Sequence, residues 1–322
     1  MSILVYTENR DGKFRKPVFE LLSYASSIAE MMNSSVVALS VGEVSSEELD
    51  KLALYGAGKI LNVKAPEYKN FDTQSYTSMI AEVAAAENAT VVLLAHSTTG
   101  KALAPRIAVR LKAGMASGVT GLPVSLEPFT VTRRVYSGNA LARSVIATEV
   151  RLLTLMPNSF DLAENRVAAA VEDYQPTVVP AAKTEVIEVQ KQEGKVLLTE
   201  ASVVVSGGRG MKSSDNWAPL VELATLLDGA TACSRPVSDE GWRPHEEHTG
   251  QTGKIIAPDL YIAVGISGAT QHLAGVSSSK YIVAINNDKS APIFEAAQYG
   301  IVGDASKVLP VLIDAVKAAK GK

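Results

Sequence analysis

Two glycine-rich segments in the second half of the chain each follow a short apolar run. Val203–Val205 leads into Ser206-Gly207-Gly208-Arg209-Gly210, and Tyr261–Val264 leads into Gly265-Ile266-Ser267-Gly268. Glycine lets a backbone approach a diphosphate closely, and backbone N–H groups can bind the diphosphate oxygens. Arg209 adds a permanent cation that can bond a phosphate or a carboxylate through two nitrogens. The pattern is typical of a nucleotide site, although a glycine-rich turn can equally be only a tight connection.

Three further polar segments carry side chains suited to the same kind of ligand. Ser234-Arg235-Pro236 follows a run of small residues, and His248–Lys254 is a polar loop with two glycines. Ser267–His272 opens a predicted helix, and such a helix start presents free N–H groups and a partial positive charge. That arrangement suits a pyrophosphate or the anionic edge of a reduced flavin. The G-x-G-x-x-G fingerprint is absent, so a nicotinamide-binding Rossmann domain is not favoured.

An open parallel sheet is the framework that positions such loops, because its ligands bind beyond the carboxyl ends of the strands. Roughly the first 155 residues alternate apolar runs with helical patterns, which predicts parallel strands joined by crossover helices. The predicted strands are Ile3–Tyr6, Ser35–Val41, Lys59–Val63 and Thr90–Ala95, and the predicted helices are Pro17–Met32, Ser46–Tyr55, Gln74–Glu87 and Lys101–Ala113. Pro105 is expected in the first turns of the last helix. Three more strands, with less helix between them, are predicted at Thr130–Ser137, Ser144–Thr148 and Arg151–Met156.

A second α/β pattern follows a polar connection. Residues 171–200 are predicted to be a linker, with the domain boundary near Val189–Leu198. We therefore predict two domains, 1–190 and 191–322, each a Rossmann-like parallel sheet with flanking helices, the second being doubly wound. The elements predicted for the second domain are strands at Ser202–Ser206, Leu260–Val264, Ile282–Ile285 and Gly300–Val302, and helices at Trp217–Asp228 and Ser306–Lys320.

The composition excludes several classes of protein. With 31 basic and 34 acidic side chains among 322 residues, the chain has no basic excess to neutralise nucleic-acid phosphates. Its one cysteine, Cys233, cannot form an internal disulfide. No apolar stretch approaches the ~20 residues that span a bilayer, and the N-terminus lacks a signal-peptide pattern. The expectation is a cytoplasmic protein that does not insert into a membrane.

The glycine-rich and polar segments, taken in this order, resemble the electron transfer flavoprotein alpha subunit. The resemblance covers residues 200–322 with specific motifs and the first domain more loosely. Beyond the segments already named, it rests in the second domain on Val283–Asn286, Ala291–Phe294 and Tyr299–Asp304, and in the first on Val5–Glu8, Lys101–Leu111 and Ser137–Ala140.

The resemblance implies an electron-carrier subunit without substrate turnover of its own. Its second domain is expected to carry flavin adenine dinucleotide (FAD), and its first domain to pair with a beta subunit that holds AMP or a second FAD. Dehydrogenases, such as acyl-CoA dehydrogenases, are expected to reduce this FAD, and a quinone oxidoreductase or another acceptor to reoxidise it. An alternative within the same resemblance is a subunit of a flavin-based electron-bifurcating complex.

The resemblance also assigns roles by position. Arg209 is expected at the FAD phosphates, and Ser234 and Arg235 beside the isoalloxazine ring. Thr252 is expected to bond flavin N5, and His272 to lie near the N1–C2=O side in a charge state that the sequence leaves open. The adenosine end is assigned to Asn286 and Asp304. The full expected FAD-binding set is Arg209, Ser234, Arg235, Thr249, Gly250, Gln251, Thr252, Ser267, Gly268, Ala269, Thr270, Gln271, His272, Asn286, Asp304 and Ala305.

Several other interpretations were weighed. His245 and His248 can suggest a metal site, but no third ligand stands nearby and the spacing is not that of helical zinc motifs. Cys233 beside Arg235 can suggest a redox thiol, although packing is the simpler role. Arg106 and Arg110 can pair with a partner subunit or form a solvated helix face. A thiamine-diphosphate enzyme and a nucleotide-binding regulatory module are the competing functions. The first needs further catalytic groups, and the second needs a phosphate loop that the first domain lacks.

Overall fold

The computed structural model describes residues 1–136, 138, 140–177, 186–189 and 196–321. The chain forms two compact α/β units, which confirms the predicted fold class. One comprises Met1–Val135 and Leu141–Lys191, and the other Tyr136–Ala140 and Gln192–Lys322. The domain limit that the sequence places between residues 190 and 191 lies outside the described residues, as do Ser137 and Asn139 of the resemblance.

The first unit alternates strands and helices over its first half, as the sequence predicts. Ser45, Asp72 and Ser97 each cap a helix by accepting a bond from a backbone N–H three residues later. The strands are β1 (Ser2–Tyr6), β2 (Ser35–Val41), β3 (Lys59–Val63), β4 (Ala89–Ala95), β5 (Gly114–Val119), β6 (Ser125–Leu126), β7 (Phe129–Val135), β8 (Ala140–Ile146), β9 (Arg151–Leu155) and β10 (Ala170–Asp173), and the helices are α1 (Lys16–Met32), α2 (Ser46–Ala53), α3 (Thr73–Ala86) and α4 (Thr98–Leu111).

Helix α4 begins earlier than the sequence predicts. The cap at Ser97 starts it at Thr98 rather than at Lys101, so Pro105 lies inside the helix and not in its first turns. The helix continues to Leu111 past the proline. Capping by Ser97 therefore outweighs the apolar periodicity on which the prediction was based.

The first sheet runs in the order β10-β3-β2-β1-β4-β9-β5-β7-β6, with β8 paired to β7. Strands β10 to β5 in this order are parallel, whereas β7 pairs antiparallel with β5 and β6. Strand β10 takes in the first three residues of the predicted linker and is a correction to it. All four of its residues are exposed, and it is held at the sheet edge by backbone pairing with β3 and by the ion pairs Lys59–Glu172 and Lys64–Asp173.

Alternate residues of the first sheet's strands pack on opposite faces. Ile3 and Val5 join one buried cluster with helix α1, and Leu4 joins another with α3 and α4. Because both faces are covered, the central strands are continuously apolar, as buried parallel strands are.

The second unit has a smaller, entirely parallel sheet. Its strands are β11 (Val203–Gly207), β12 (Ala230–Cys233), β13 (Leu260–Val264), β14 (Tyr281–Asn286) and β15 (Tyr299–Val302), and its helices are α5 (Ala218–Leu226), α6 (Arg235–Asp239), α7 (Thr270–Val276), α8 (Ile293–Ala296) and α9 (Ala305–Ala319).

The order of these strands is β12-β11-β13-β14-β15. Counted along this unit, that is the 2-1-3-4-5 order of a doubly wound sheet, and the order reverses between β11 and β13. Val204 packs on one face with α7 and α8, and Val205 packs on the other with α5 and α9. The reversal leaves a crevice at the carboxyl ends of β11 and β13, where both glycine-rich segments begin.

Among the described helices, none combines the length and the apolar character that crossing a bilayer requires.

Candidate functional site

A cavity of about 680 Å³ lies at the carboxyl ends of the second sheet's strands. Its volume falls within the usual range for a small-molecule or cofactor site. Every residue that lines it belongs to the second unit. The cavity is built by the segments that follow β11, β12, β13 and β14 and by the loop before β13.

The two glycine-rich turns hold each other at close range. Gly208 donates its N–H to the carbonyl of Val264 at 2.9 Å, and Gly210 donates to the carbonyl of Gly265 at 3.0 Å. A Cβ on Gly208 would stand 2.2 Å from the Gly265 oxygen, and one on Gly210 would stand 2.7 Å from the Gly265 Cα. Gly265 itself has a φ of +62°, a conformation that favours glycine. Glycine is therefore needed at these positions because the two turns pack backbone against backbone and leave no room for a Cβ.

Ser234 and Arg235 follow β12 and begin helix α6. The N–H of Ser234 donates to the carbonyl of Gly207 at 3.1 Å, which ties this segment to the end of β11. Arg235 is exposed at the cavity and contacts two partners. Its Nε donates to Asp239 at 3.2 Å, and its Nη1 donates to the hydroxyl of Thr252 at 3.1 Å.

The loop from His248 to Lys254 is anchored on both sides. Thr249 is buried, and its N–H and hydroxyl both donate to the carbonyl of Cys233, at 3.0 and 3.2 Å. The N–H of Gln251 donates to the carbonyl of Gln271 at 2.7 Å. Gly250 packs against Gly275 of α7, where a Cβ would stand 2.5 Å from the Gly250 Cα. The loop thus bridges β12 and α7.

The segment from Ser267 to His272 enters helix α7. Gly268 has a φ of +84° and lies so close to Ile293 that a Cβ would stand 2.4 Å from its backbone nitrogen. Ala269 is the N-cap residue, and no side chain caps this helix. The N–H of His272 donates to the carbonyl of Ala269 at 2.8 Å, so backbone rather than a side-chain cap closes the first turn of α7.

His272 is the buried histidine of this segment. Its Nε2 lies 2.8 Å from the hydroxyl of Tyr261, and its Nδ1 has no hydrogen-bond partner among the described residues. Burial lowers the pKa of His272 from 6.5 to about 4, with the backbone of Thr249 acting in the opposite direction. Burial therefore favours the neutral imidazole, a charge state that the sequence left open.

Asn286 and Asp304 are both engaged by the fold. The Asn286 amide donates to the carbonyl of Ile266 at 2.9 Å, and its oxygen accepts from the N–H of Asp288. Asp304 caps helix α9 through Ser306 and accepts from Lys212 at 3.3 Å. The bonds to Ser306 lower the pKa of Asp304 to about 2.

Most of the predicted set meets at the cavity. Gly268 and Thr270 lie outside the cavity lining although their neighbours form it, and Asp304 and Ala305 lie outside it at the start of α9. The predicted residues that line the cavity are Arg209, Ser234, Arg235, Thr249, Gly250, Gln251, Thr252, Ser267, Ala269, Gln271, His272 and Asn286.

The chain is similar to known proteins over both units. The electron transfer flavoprotein domain family matches residues 3–193, and the electron transfer flavoprotein FAD-binding domain family matches residues 197–277. The chain belongs to the electron transfer flavoprotein alpha-subunit family. Its cofactor is FAD.

Individual relatives agree with this assignment over their full length. The electron transfer flavoprotein subunit alpha of Bacillus subtilis is 37% identical over 98% of this chain and 97% of its own. The namesake from Syntrophomonas wolfei is 38% identical over 97% of this chain and 98% of its own. The acryloyl-CoA reductase electron transfer subunit beta of Anaerotignum propionicum is 33% identical over 99% of this chain and 96% of its own. These names describe electron carriers, so this alpha subunit is an electron carrier rather than an enzyme.

A solved structure of a putative thiamin diphosphate-dependent enzyme from Mycobacterium smegmatis aligns over 97% of this chain and 59% of that one. The TM-score is 0.24 at 12% identity, which is too low for any argument about function. The thiamine-diphosphate alternative gains nothing from it.

The cavity of this alpha subunit fits FAD on two observations. Arg209 is exposed, with only a distant contact to Glu240 at 4.0 Å, so its guanidinium is available for phosphate. His272 keeps a buried nitrogen without a partner beside the cavity.

Sequence reasoning left several lining residues out of the predicted set. His248 is buried, and Asp288 follows the end of β14. The signal for Asp288 was present in the sequence, since a polar Asn-Asn-Asp run directly follows a predicted buried strand. The complete additional set is Gly210, Pro236, His248, Gly265, Ile266, Asp288, Ala291 and Pro292.

Two alternative roles are not supported by the described residues. Cys233 is fully buried, and burial raises its pKa to about 12, so it does not act as a reactive thiolate. No group of three His, Cys, Asp or Glu side chains able to hold a metal occurs in the described part of the chain.

Proposed function

We propose that this alpha subunit carries FAD in the cavity of its second unit and passes electrons from dehydrogenases, such as acyl-CoA dehydrogenases, to a quinone oxidoreductase. The observation that carries the proposal is the arrangement at one end of the cavity. There, an exposed arginine, Arg235, is bonded to the hydroxyl of Thr252, and a neutral histidine, His272, lies in the same lining. A cation and two neutral polar groups can orient a ring system without reacting with it.

The diphosphate is assigned to the glycine turns and their cations. Arg209 lies after β11 with its guanidinium largely in solvent. The uncapped start of α7 supports the assignment, since Ala269 leaves the first N–H groups of the helix without a side-chain acceptor. Arg209 would bond phosphate oxygens, and the N–H groups would face the remaining oxygens.

The ring is assigned to the loop from Thr249 to Thr252 and to His272. FAD, when bound, supplies the reversible uptake of electrons, with negative charge collecting at its N1–C2=O edge. Arg235 would stabilise that charge, and the effect is stronger where water is displaced. Thr252, which accepts a hydrogen bond from Arg235, can donate its own proton toward N5. Ser234 would close the side of the ring that faces β12.

The adenosine end is assigned to the region of Asn286 and Asp304. Both side chains are already engaged in holding turns, so we propose that they shape this end of the site through those turns. Asn286 would act through the Ile266 carbonyl and the N–H of Asp288, which it holds.

The partner is an electron transfer flavoprotein beta subunit, which the family assignment implies. We further propose that the beta subunit holds AMP. A second candidate is an electron-bifurcating complex, in which the beta subunit holds a second FAD. The relative named as an acryloyl-CoA reductase electron transfer subunit keeps this candidate open. Flavin content separates the two, since one FAD per heterodimer supports the first and two support the second.

The first test is a visible absorption spectrum of the purified heterodimer, where the absence of a flavin band would overturn the proposal. The second is Arg235→Ala compared with Arg209→Ala. Arg235→Ala should retain FAD but lower its midpoint potential, because a cation at the ring is lost. Arg209→Ala should weaken FAD binding with little change in potential. An unchanged potential in Arg235→Ala would remove Arg235 from the ring.

A further inference from the structure

Tyr261 and His272 form a hydrogen-bonded pair beneath the cavity. The Tyr261 hydroxyl lies 2.8 Å from Nε2 of His272, and the two rings are 6.1 Å apart between centroids. Tyr261 is fully buried in β13, and His272 is 7% exposed in α7. The bond therefore joins two elements in a water-poor setting, where a hydrogen bond is strong and its loss is costly.

Both partners are neutral in the working pH range. Burial holds the pKa of His272 near 4 and raises the pKa of Tyr261 well above its ordinary value. A neutral imidazole carries one proton, on Nδ1 or on Nε2, and the partner of one nitrogen decides which. The direction of the hydrogen bond from or to Tyr261 therefore sets the tautomer.

We propose that Tyr261 is a positioning residue: its hydroxyl donates to Nε2 of His272 and holds the imidazole as the tautomer that carries its proton on Nδ1. A phenol is a stronger acid than a neutral imidazole N–H, and the unprotonated imidazole nitrogen is a stronger acceptor than a phenol oxygen. The pair is therefore more stable with Tyr261 as donor than with the roles reversed.

The tautomer decides what His272 offers to a ligand. Its Nδ1 is enclosed and makes no hydrogen bond of ordinary geometry among the described residues, although the Thr249 backbone is close enough to raise the pKa of the ring, and the residue lines the cavity. With the proton on Nδ1, the imidazole offers a donor to the electron-rich edge of a bound ring. With the proton on Nε2, it would offer a lone pair that repels the same edge. This step rests on the proposed FAD site, whereas the tautomer itself does not.

The tautomer is measurable without cofactor. The full-length chain labelled with ¹⁵N-histidine contains four histidines, and His272→Asn identifies the His272 signals by their loss. The unprotonated nitrogen of a neutral imidazole resonates well downfield of the protonated one. We expect Nε2 of His272 to be the unprotonated nitrogen in the native chain, and Tyr261→Phe to mix the two tautomers and bring the two shifts together.

Tyr24→Phe is the matched control, because Tyr24 is also fully buried and its hydroxyl also donates a hydrogen bond, to Gly121 at 3.0 Å. It should leave the His272 signals unchanged. In the FAD-loaded heterodimer, Tyr261→Phe should lower the midpoint potential and Tyr24→Phe should not. A native His272 protonated on Nε2 would overturn the proposal even if Tyr261→Phe fails to fold, and so would an unchanged tautomer in Tyr261→Phe. Failure of FAD to bind would defeat only the proposed function.

Discussion

The guanidinium of Arg235 donates a hydrogen bond from Nη1 to the hydroxyl oxygen of Thr252 at 3.1 Å. The two residues are 17 positions apart and come from different segments of the cavity wall. Since the Thr252 oxygen accepts from a cation, its own O–H points away from Arg235. One ion pair, with Asp239 at 3.2 Å, holds the other edge of the guanidinium.

Thr252→Val should lower the midpoint potential of the bound flavin, whereas Thr252→Ser should not. Valine keeps the branched shape and removes the hydroxyl. Loss of one hydrogen bond of about 1 kcal/mol corresponds to roughly 40 mV for a one-electron step. Potentiometric titration of the three heterodimers measures this. Equal potentials for the valine and serine variants would show that the hydroxyl does not contact the ring.

Gly208→Ala should unfold the second unit more easily and weaken FAD binding. The new Cβ would stand 2.2 Å from the carbonyl oxygen of Gly265, and both atoms belong to backbone that cannot rotate away. We expect a loss of about 3 kcal/mol, in the range for severe overpacking.

Tryptophan fluorescence during urea unfolding measures the stability of the second unit, because both tryptophans, Trp217 and Trp242, lie in it. Gly241→Ala, in the same unit, is the control, since no atom lies within 4 Å of the Cβ it would add and only its φ of +71° should cost about 1 kcal/mol. Similar losses in the two variants would contradict the role given to the glycine turns.

Glu247→Gln should destabilise the second unit by about 2 kcal/mol, because it breaks the ion pair with Arg243. The loss should be smaller than for a fully buried pair, since both side chains keep some contact with solvent. Glu247 accepts two hydrogen bonds from Arg243, at 2.8 and 2.5 Å, and Arg243 lies 5.7 Å from the Trp217 ring centroid. Removing the carboxylate leaves Arg243 partly buried without a counter-charge.

The control for Glu247 is Glu222→Gln, which breaks an exposed pair with Lys317. Exposed pairs contribute at most about 1 kcal/mol, so its effect should be small. Urea unfolding followed by circular dichroism compares the two variants. If Glu222→Gln proved as costly as Glu247→Gln, burial would not be what gives the Arg243 pair its strength.

Acid should destabilise the second unit through His272. The folded-state pKa of about 4 lies below the ordinary 6.5, so between these values the unfolded chain binds more protons than the folded chain. Stability attributable to His272 is therefore complete above pH 6.5, falls as the pH drops, and is fully lost near pH 4. The loss amounts to about 3 kcal/mol.

His272→Asn should flatten the pH dependence of urea unfolding across this window. His245→Asn, at an exposed position of the same unit, is the matched change that should retain the native slope. An unaltered slope in His272→Asn would mean that other groups carry the acid sensitivity.

Sequence patterns predicted the central elements of both sheets because their strands are buried on two faces. Val91–Leu94 is apolar throughout, and the structure extends its strand by one residue only. Patterns failed where a strand lacks a run of large apolar side chains. Strand β10 is wholly exposed, and β12 consists of Ala230-Thr231-Ala232-Cys233, whose small side chains carry little periodic signal.

The candidate site was predictable as a set of segments but not as a set of contacts. Arg209 could be named because it lies in a glycine-rich turn after an apolar run, whereas the roles of Arg235 and Thr252 came from the family resemblance of their segments. The neutral state of His272 could not be predicted from the sequence. It depends on the burial of this α7 residue beside Tyr261, which belongs to β13. The glycines were expected to admit a diphosphate, yet the contact between Gly208 and Gly265 arises only when two strands pair.

That contact has a consequence for the making of the protein. The turns that interlock are 57 positions apart in the chain, and the cavity is completed by residues as late as Pro292. A chain emerging from the ribosome cannot assemble the cavity until most of its second unit has been synthesised. The cofactor can therefore bind only late in synthesis of the chain. A chain truncated before β13 lacks much of the surface that would hold the cofactor.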